Sequence, residues 1–140
     1  MPQLYLGLMS GTSIDGVDVA LVDFSGSHPK LLDCRTFPFP SSLRDELHRL
    51  CAPSENEIEL MGHADRAIAK IFAEASLQIL KDNYIRPDQI TAIGSHGQTI
   101  RHIPFGELSF SLQIGDPNTL ATLTGIDVIA DFRRKDIALG

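Results

Sequence analysis

Three short stretches of the chain hold residues whose types and spacing suit chemistry on a charged or polyhydroxy ligand. The first runs Ser10-Gly11-Thr12-Ser13-Ile14-Asp15-Gly16-Val17-Asp18. Glycines let a backbone bend and approach an anion closely, turn amides form a nest for phosphate oxygens, and the Thr12 and Ser13 hydroxyls add donors. Asp15 and Asp18 would repel a bare phosphate, so they make sense with a divalent cation between. Taken by spacing alone, the same residues read more readily as a hairpin with an Asp-Gly turn. No Gly-Lys-Ser/Thr follows, which excludes a Walker loop. A strand rather than a helix comes next, which excludes the dinucleotide fingerprint.

The second stretch is Gly94-Ser95-His96-Gly97-Gln98-Thr99, with Arg101 and His102 just beyond. Its side chains suit hydrogen bonding to a polyhydroxy or carboxylate substrate, and a capped turn around a satisfied histidine is the plainer alternative. His96 and His102 as metal ligands lack a Cys or acidic partner at ligand-like spacing. The third stretch, Asp131-Phe132-Arg133-Arg134-Lys135-Asp136, mixes acids with a cationic run. A guanidinium pairs carboxylate or phosphate bidentately, so Arg133 suits an anionic ligand, against the alternative of a solvated charged loop. Ser13, His96 and Asp131 make a hydrolase triad on paper, but there is no G-x-S-x-G elbow to present the nucleophile.

Each stretch follows a segment that reads as a strand, and loops at strand ends are where open α/β sheets bind ligands. Leu4 to Met9 and Val17 to Phe24 are the first two strands, the second apolar on both faces and so expected to be buried on both sides. Lys30 to Phe37 is a third, antiparallel strand, ended by Pro38 and Pro40. Ser42 with Asp45 marks a helix start, with Leu43, Leu47, Leu50 and Cys51 on one face. Ser54 to Glu57 has the form of a capping box. Behind it Ile58, Met61, Ala64, Ile68, Phe72, Ala75 and Ile79 recur at spacings of three and four, the clearest helix in the chain. Ile90 to Ile93 is a short strand running into the second polar stretch, and Phe110 to Ile114 is another. Asp116-Pro117 opens a helix that Gly125 closes, and Ile126 to Ala130 delivers Asp131. Asp131 to Gly140 reads as a polar segment without a closing helix. Three antiparallel strands followed by alternating helices and strands predict a mixed α/β sheet with helices packed on it.

The bulk numbers fit one domain. The 140 residues are 43% apolar and 21% charged, enough for a sizeable core. A net charge of −6 excludes a nucleic-acid surface, which needs a basic patch, but leaves room for a nucleotide. No apolar run approaches a membrane span, and Met1-Pro2-Gln3 leads straight into a strand, so the expected compartment is cytoplasmic. Cys34 and Cys51 are then expected to be free, buried thiols.

Taken together, Gly7 to Asp18, Gly94 to Thr99, Gln113-Ile114-Gly115-Asp116 and Thr124-Gly125-Ile126 running to Asp136 closely resemble the 1,6-anhydro-N-acetylmuramic acid kinases over essentially the whole chain. The resemblance implies the fold of the sugar-kinase, actin and heat-shock ATPase superfamily: two ribonuclease-H-like lobes with ATP in the cleft between. The segment Gly11, Thr12, Ser13, Ile14, Asp15, Gly16, Val17, Asp18 becomes the first phosphate loop. Many members carry an aspartate where this chain has Met9, so contact of Asp15 and Asp18 with Mg2+ is an inference from their position. Ser95, His96, Gln98, Thr99, Asp131 and Arg133 resemble the substrate side of the site. The family phosphorylates the sugar O6 while water opens the anhydro ring, giving N-acetylmuramic acid 6-phosphate in cell-wall recycling. Its base resembles an aspartate of a D-T-G-P-G-N segment, which these residues do not contain, so no catalytic residue is assigned here. Residues 1–140 thus read as an incomplete N-terminal lobe, with the second lobe expected beyond and no turnover by this piece alone. The expected partners are ATP and the anhydro-amino sugar, with a homodimer compatible, and no nucleic acid or membrane. The competing reading is a self-contained nucleotide-binding or interaction domain of the same fold, without catalysis.

Overall fold

The computed structural model describes residues 3–140. The expected lead of Met1-Pro2 into the first strand lies outside the described residues. Strands β1 (Leu4–Ser10), β2 (Gly16–Asp23) and β3 (Lys30–Pro38) form an antiparallel meander. β1 also pairs in parallel with the long β4 (Ile90–Ile103). The far edge of β4 is shared. Its first part pairs in parallel with β6 (Val128–Ala130), and its second part antiparallel with β5 (Phe110–Ile114). The sheet order is β3-β2-β1-β4-β5, with β6 beside β4. Helices α1 (Ser41–Leu50), α2 (Glu57–Asp82), α3 (Pro117–Thr124) and α4 (Phe132–Ala138) complete the chain. This is the expected mixed α/β architecture, consistent with a ribonuclease-H-like first lobe.

Period-two alternation builds one side of the core. Leu4, Leu6 and Leu8 of β1 and Val17, Val19 and Leu21 of β2 all turn inward, against Leu43 and Leu47 of α1 and Ile68, Phe72 and Ile79 of α2. Burying each such side chain contributes about 1.5–3 kcal/mol. The other face differs from expectation. Ala20 and Val22 of β2 are only half-buried, Tyr5 and Phe24 meet edge to face at 5.4 Å, and Ile129 is 60% exposed. The two-sided apolar pattern of β2 is real, but the helices of these residues cover only one of its sides.

Local signals shifted in register. α1 begins at Ser41 with Pro40 as its cap and no side-chain capping bond, so Ser42 lies inside the helix rather than at its start. The capping box forms by half. Glu57 Oε1 accepts the Ser54 amide at 3.0 Å, yet Asn56 takes a left-handed φ of 54° and becomes the cap, leaving the buried Ser54 hydroxyl without a partner. Cys34 and Cys51 are exposed, not buried. Cys34 sits on the free edge strand, and Cys51 caps the end of α1 past the Leu43–Leu47–Leu50 row.

The largest difference concerns β4. The Gly94–Thr99 stretch is not a turn after a short strand; the strand continues through it to Ile103, because β5 pairs with Gln98 to Ile103 and supplies the missing hydrogen bonds. Gly97, at φ 77°, kinks the strand where its register on β1 shifts. The charged stretch after β6 is likewise a helix, α4, rather than a loop. The opening and closing of α3 are as expected: Asp116 Oδ1 and Oδ2 accept the Asn118 and Thr119 amides, and Gly125 ends the helix at φ 70°.

Candidate ligand-binding cleft

The turn between β1 and β2 is closed by the Ile14 amide donating to the Gly11 carbonyl at 3.1 Å. Its left-handed residue is Ile14, at φ 57°, not a glycine. A β-branched residue is disfavoured there. Ile14 is held because its side chain, 2% exposed, is part of the core. Gly16 also plays another part than the expected one. A Cβ on it would stand 2.1 Å from the Phe37 carbonyl oxygen, so its smallness lets β3 close on β2. At Gly11 a Cβ would meet nothing within 4 Å, so the space beside that backbone is open. Thr12 and Ser13 are exposed on the turn, whereas Val17 is fully buried and offers a ligand only its backbone.

Asp15 and Asp18 are held by different elements. Asp15 is 3.9 Å from Arg44 of α1, while the Asp18 carboxylate accepts the Thr36 hydroxyl of β3. Among the described residues no three His, Cys, Asp or Glu side chains converge as a metal cage. A pair of separate exposed carboxylates fits a magnesium ion that takes most of its ligands from phosphate and water.

Gln98 ties this turn to β4. Its Oε1 accepts the Ser10 hydroxyl, and its Nε2 donates to the carbonyls of Gly11 at 3.2 Å and Thr99 at 3.0 Å. Both side chains are buried, Gln98 completely. Expected as a substrate contact, Gln98 instead has its amide engaged at both ends inside the protein.

The cleft proper, about 280 Å³, lies between α2, the middle of β4, the β5–α3 junction and the start of α4. It brings Ser95 and His96 of β4 together with Asp131 and Arg133 at the start of α4. Ser95 is 2% exposed and its Oγ has no hydrogen-bond partner. His96 Nδ1 is 3.1 Å from the Gly97 carbonyl oxygen and Nε2 is 3.4 Å from Arg133 Nη1. That network sets the tautomer, with Nδ1–H donating and Nε2 accepting. Arg134 pairs with Asp131, Nε to Oδ1 at 2.6 Å, and this bond holds the Asp131 carboxyl below its usual range. Arg133 lines the cleft, where its Nη1 meets His96. Thr99 stands outside the cleft wall, its hydroxyl accepting from Gln113 Nε2 at 3.0 Å. The paper triad does not assemble, because His96 is bonded to Gly97 and Arg133, and Asp131 to Arg134.

A model of the family described as anhydro-N-acetylmuramic acid kinase matches residues 3–140. The chain belongs to that kinase family. Curated members from Shewanella oneidensis and Shewanella baltica are 59% identical to it over 136 residues, and one from Shewanella loihica is 60% identical. Each alignment covers 97% of this chain and 37% of the relative, so the chain spans little more than a third of the length of these kinases. No helix among the described residues is long and apolar enough to cross a membrane.

In this chain the sequence reading missed Asp65 and Gln113 as cleft residues. Asp65 Oδ1 accepts the Gly115 amide at 2.7 Å, and the Asp65 carbonyl accepts the Asp116 amide at 3.2 Å. One signal was present. Asp65 lies four residues after Met61 and three before Ile68, so the helical period puts a carboxylate on the apolar stripe of α2.

Proposed function

We propose that residues 1–140 form the N-terminal lobe of a cytoplasmic kinase that transfers the γ-phosphoryl group of ATP to O6 of 1,6-anhydro-N-acetylmuramic acid as water opens the anhydro ring. The second lobe and the catalytic segment belong to the part of the relatives' length that this chain does not cover. The observation that carries the reading is the unpartnered Ser95 hydroxyl in the wall of a cleft that also holds Arg133. A buried hydroxyl without a partner costs about 1–3 kcal/mol, a cost a bound polyol relieves. Arg133 suits the sugar's carboxylate, and the His96 Nε2 suits a hydroxyl donor once Arg133 turns to the ligand.

On the nucleotide side, the open backbone at Gly11 and the Thr12 and Ser13 hydroxyls suit the phosphates, and Asp18, with Asp15, suits the magnesium ion that accompanies them. Bound Mg-ATP supplies the transferable phosphoryl group and the cation that offsets its charge. The residues of this chain position and orient. No residue of this chain is assigned the activation of the water, which needs a carboxylate.

The test is direct. The kinase of family length carrying this chain, given ATP, magnesium and the anhydro-sugar, should yield N-acetylmuramic acid 6-phosphate by mass spectrometry. The 140-residue chain alone should yield none. No product from the longer protein defeats the assignment, and product from the chain alone defeats the division of labour between lobes.

A further inference from the structure

We propose that Asp65 is a ligand-contact residue that fixes the orientation of the sugar, receiving a hydroxyl or amide N–H donor on the α2 wall of the cleft; this rests on the substrate class proposed above. The two oxygens of Asp65 have separate fates. Oδ1 accepts the Gly115 amide at 2.7 Å and so anchors the side chain against the β5–α3 junction. Oδ2 takes no bond from the described residues, although Asp65 lines the same cleft as Ser95 and Arg133. The atom is not sealed off; it is not among the buried side-chain atoms that lack a partner. An ionised carboxylate carries no hydrogen-bond donor, so the free oxygen meets donors and not acceptors.

Its placement gives the cleft a polarity. Arg133 comes from α4 and Asp65 from α2, while Asp131 and Arg134 beside Arg133 pair with each other, so a cation and an anion outside that pair stand on different walls, with the Ser95 hydroxyl also in the lining. Asp65 repels a carboxylate and Arg133 attracts one. A ligand with an acid group and several hydroxyl or amide donors therefore binds acid toward α4 and donors toward α2, and the reverse pose places like charges together. Asp65 thus discriminates between ligand ends rather than merely adding affinity.

Asparagine separates the two parts of the residue. In Asp65→Asn the amide oxygen still accepts the Gly115 N–H, while the second position becomes a donor. Asp65→Ala removes both. Calorimetric titration of the full-length protein with the anhydro-sugar, without ATP, reads binding independently of turnover. Asp65→Asn should weaken sugar binding about tenfold or more, the range of a hydrogen bond to a charged group, and leave ATP binding and the melting temperature unchanged. Asp65→Ala should weaken sugar binding similarly and also lower the melting temperature. Sugar affinity of Asp65→Asn within twofold of wild type overturns this inference while leaving the kinase assignment standing. A wild-type protein that neither binds nor phosphorylates the sugar overturns both.

Discussion

Gly97 and Gly115 meet across the junction of β4 and β5 with no side chain between them: a Cβ on Gly115 would stand 3.6 Å from the Gly97 Cα and 3.2 Å from Ile68 Cγ2. Both hold positive φ, 77° and 127°. Both also line the cleft, so the closeness of two strands and the shape of the site are one feature.

Gly97→Ala should therefore be costly twice over. The new Cβ falls 2.5 Å from the Ile114 carbonyl oxygen, and the left-handed backbone is strained for any L side chain. Left-handed strain alone costs about 1–3 kcal/mol, and the clash adds to it. A urea denaturation series on the chain should show an unfolding free energy lowered by at least that amount. A midpoint equal to wild type would mean that the strand kink relaxes freely.

Ser95→Ala should separate stability from binding. It removes a buried hydroxyl that has no partner, so thermal stability should stay level or rise. If the hydroxyl bonds the sugar, affinity should fall by about 0.5–1.5 kcal/mol, up to roughly tenfold. Differential scanning fluorimetry and sugar titration on the same sample check both halves. A large loss of stability would show that the hydroxyl is engaged in the ligand-free protein.

The Ser10–Gln98 bond should behave in the opposite way. Gln98→Met keeps the length of the side chain but leaves the buried Ser10 hydroxyl without its partner and the Gly11 carbonyl with only the Ile14 amide. Each unsatisfied buried group costs about 1–3 kcal/mol. Denaturation should register the loss, and hydrogen exchange of the Thr12 to Asp15 amides should accelerate. Unchanged exchange would show that the turn holds its form without β4.

Asp116 sets an acid limit on α3. Its carboxyl lies below its ordinary 3.8, chiefly through the Thr119 hydroxyl bond, with the Asn118 and Thr119 amides adding to it. For a carboxyl whose folded pKa is depressed, the stabilisation is complete above the unfolded value and is lost as pH falls through the folded one. Asp116→Ala should cost about 1 kcal/mol at neutral pH, as expected for a lost N-cap. The gap between variant and wild type should shrink progressively below about pH 4. Urea melts at neutral and acidic pH test this, and a gap constant with pH would exclude the ionised cap.

The readable parts of the sequence were those whose cause is local. The Asp116-Pro117 to Gly125 bounds of α3 and the α2 stripe are set by neighbours in the chain, and the structure keeps them, except that Ile58 at the head of the stripe is exposed. The extent of β4 was not readable, because its second half exists through pairing with β5, in register from Ile103–Phe110 to Gln98–Ile114. Gly16 misled for a like reason: its small size serves the distant Phe37 backbone. Within the cleft, residue type pointed to Ser95, His96, Asp131 and Arg133, and the fold gathers all four. Chemistry by type could not tell that Gln98 would be sealed inside, or that Asp65 would enter from a helix. Only packing decides which polar side chains remain free for a ligand.

Ile14 carries a last consequence. The anion-approachable turn is nailed to the hydrophobic interior through that one side chain, so it cannot swing without opening the core beneath it. A flexible glycine loop wraps its ligand by changing its own shape. This turn is instead a rigid tooth, and a ligand must fit the shape it already has.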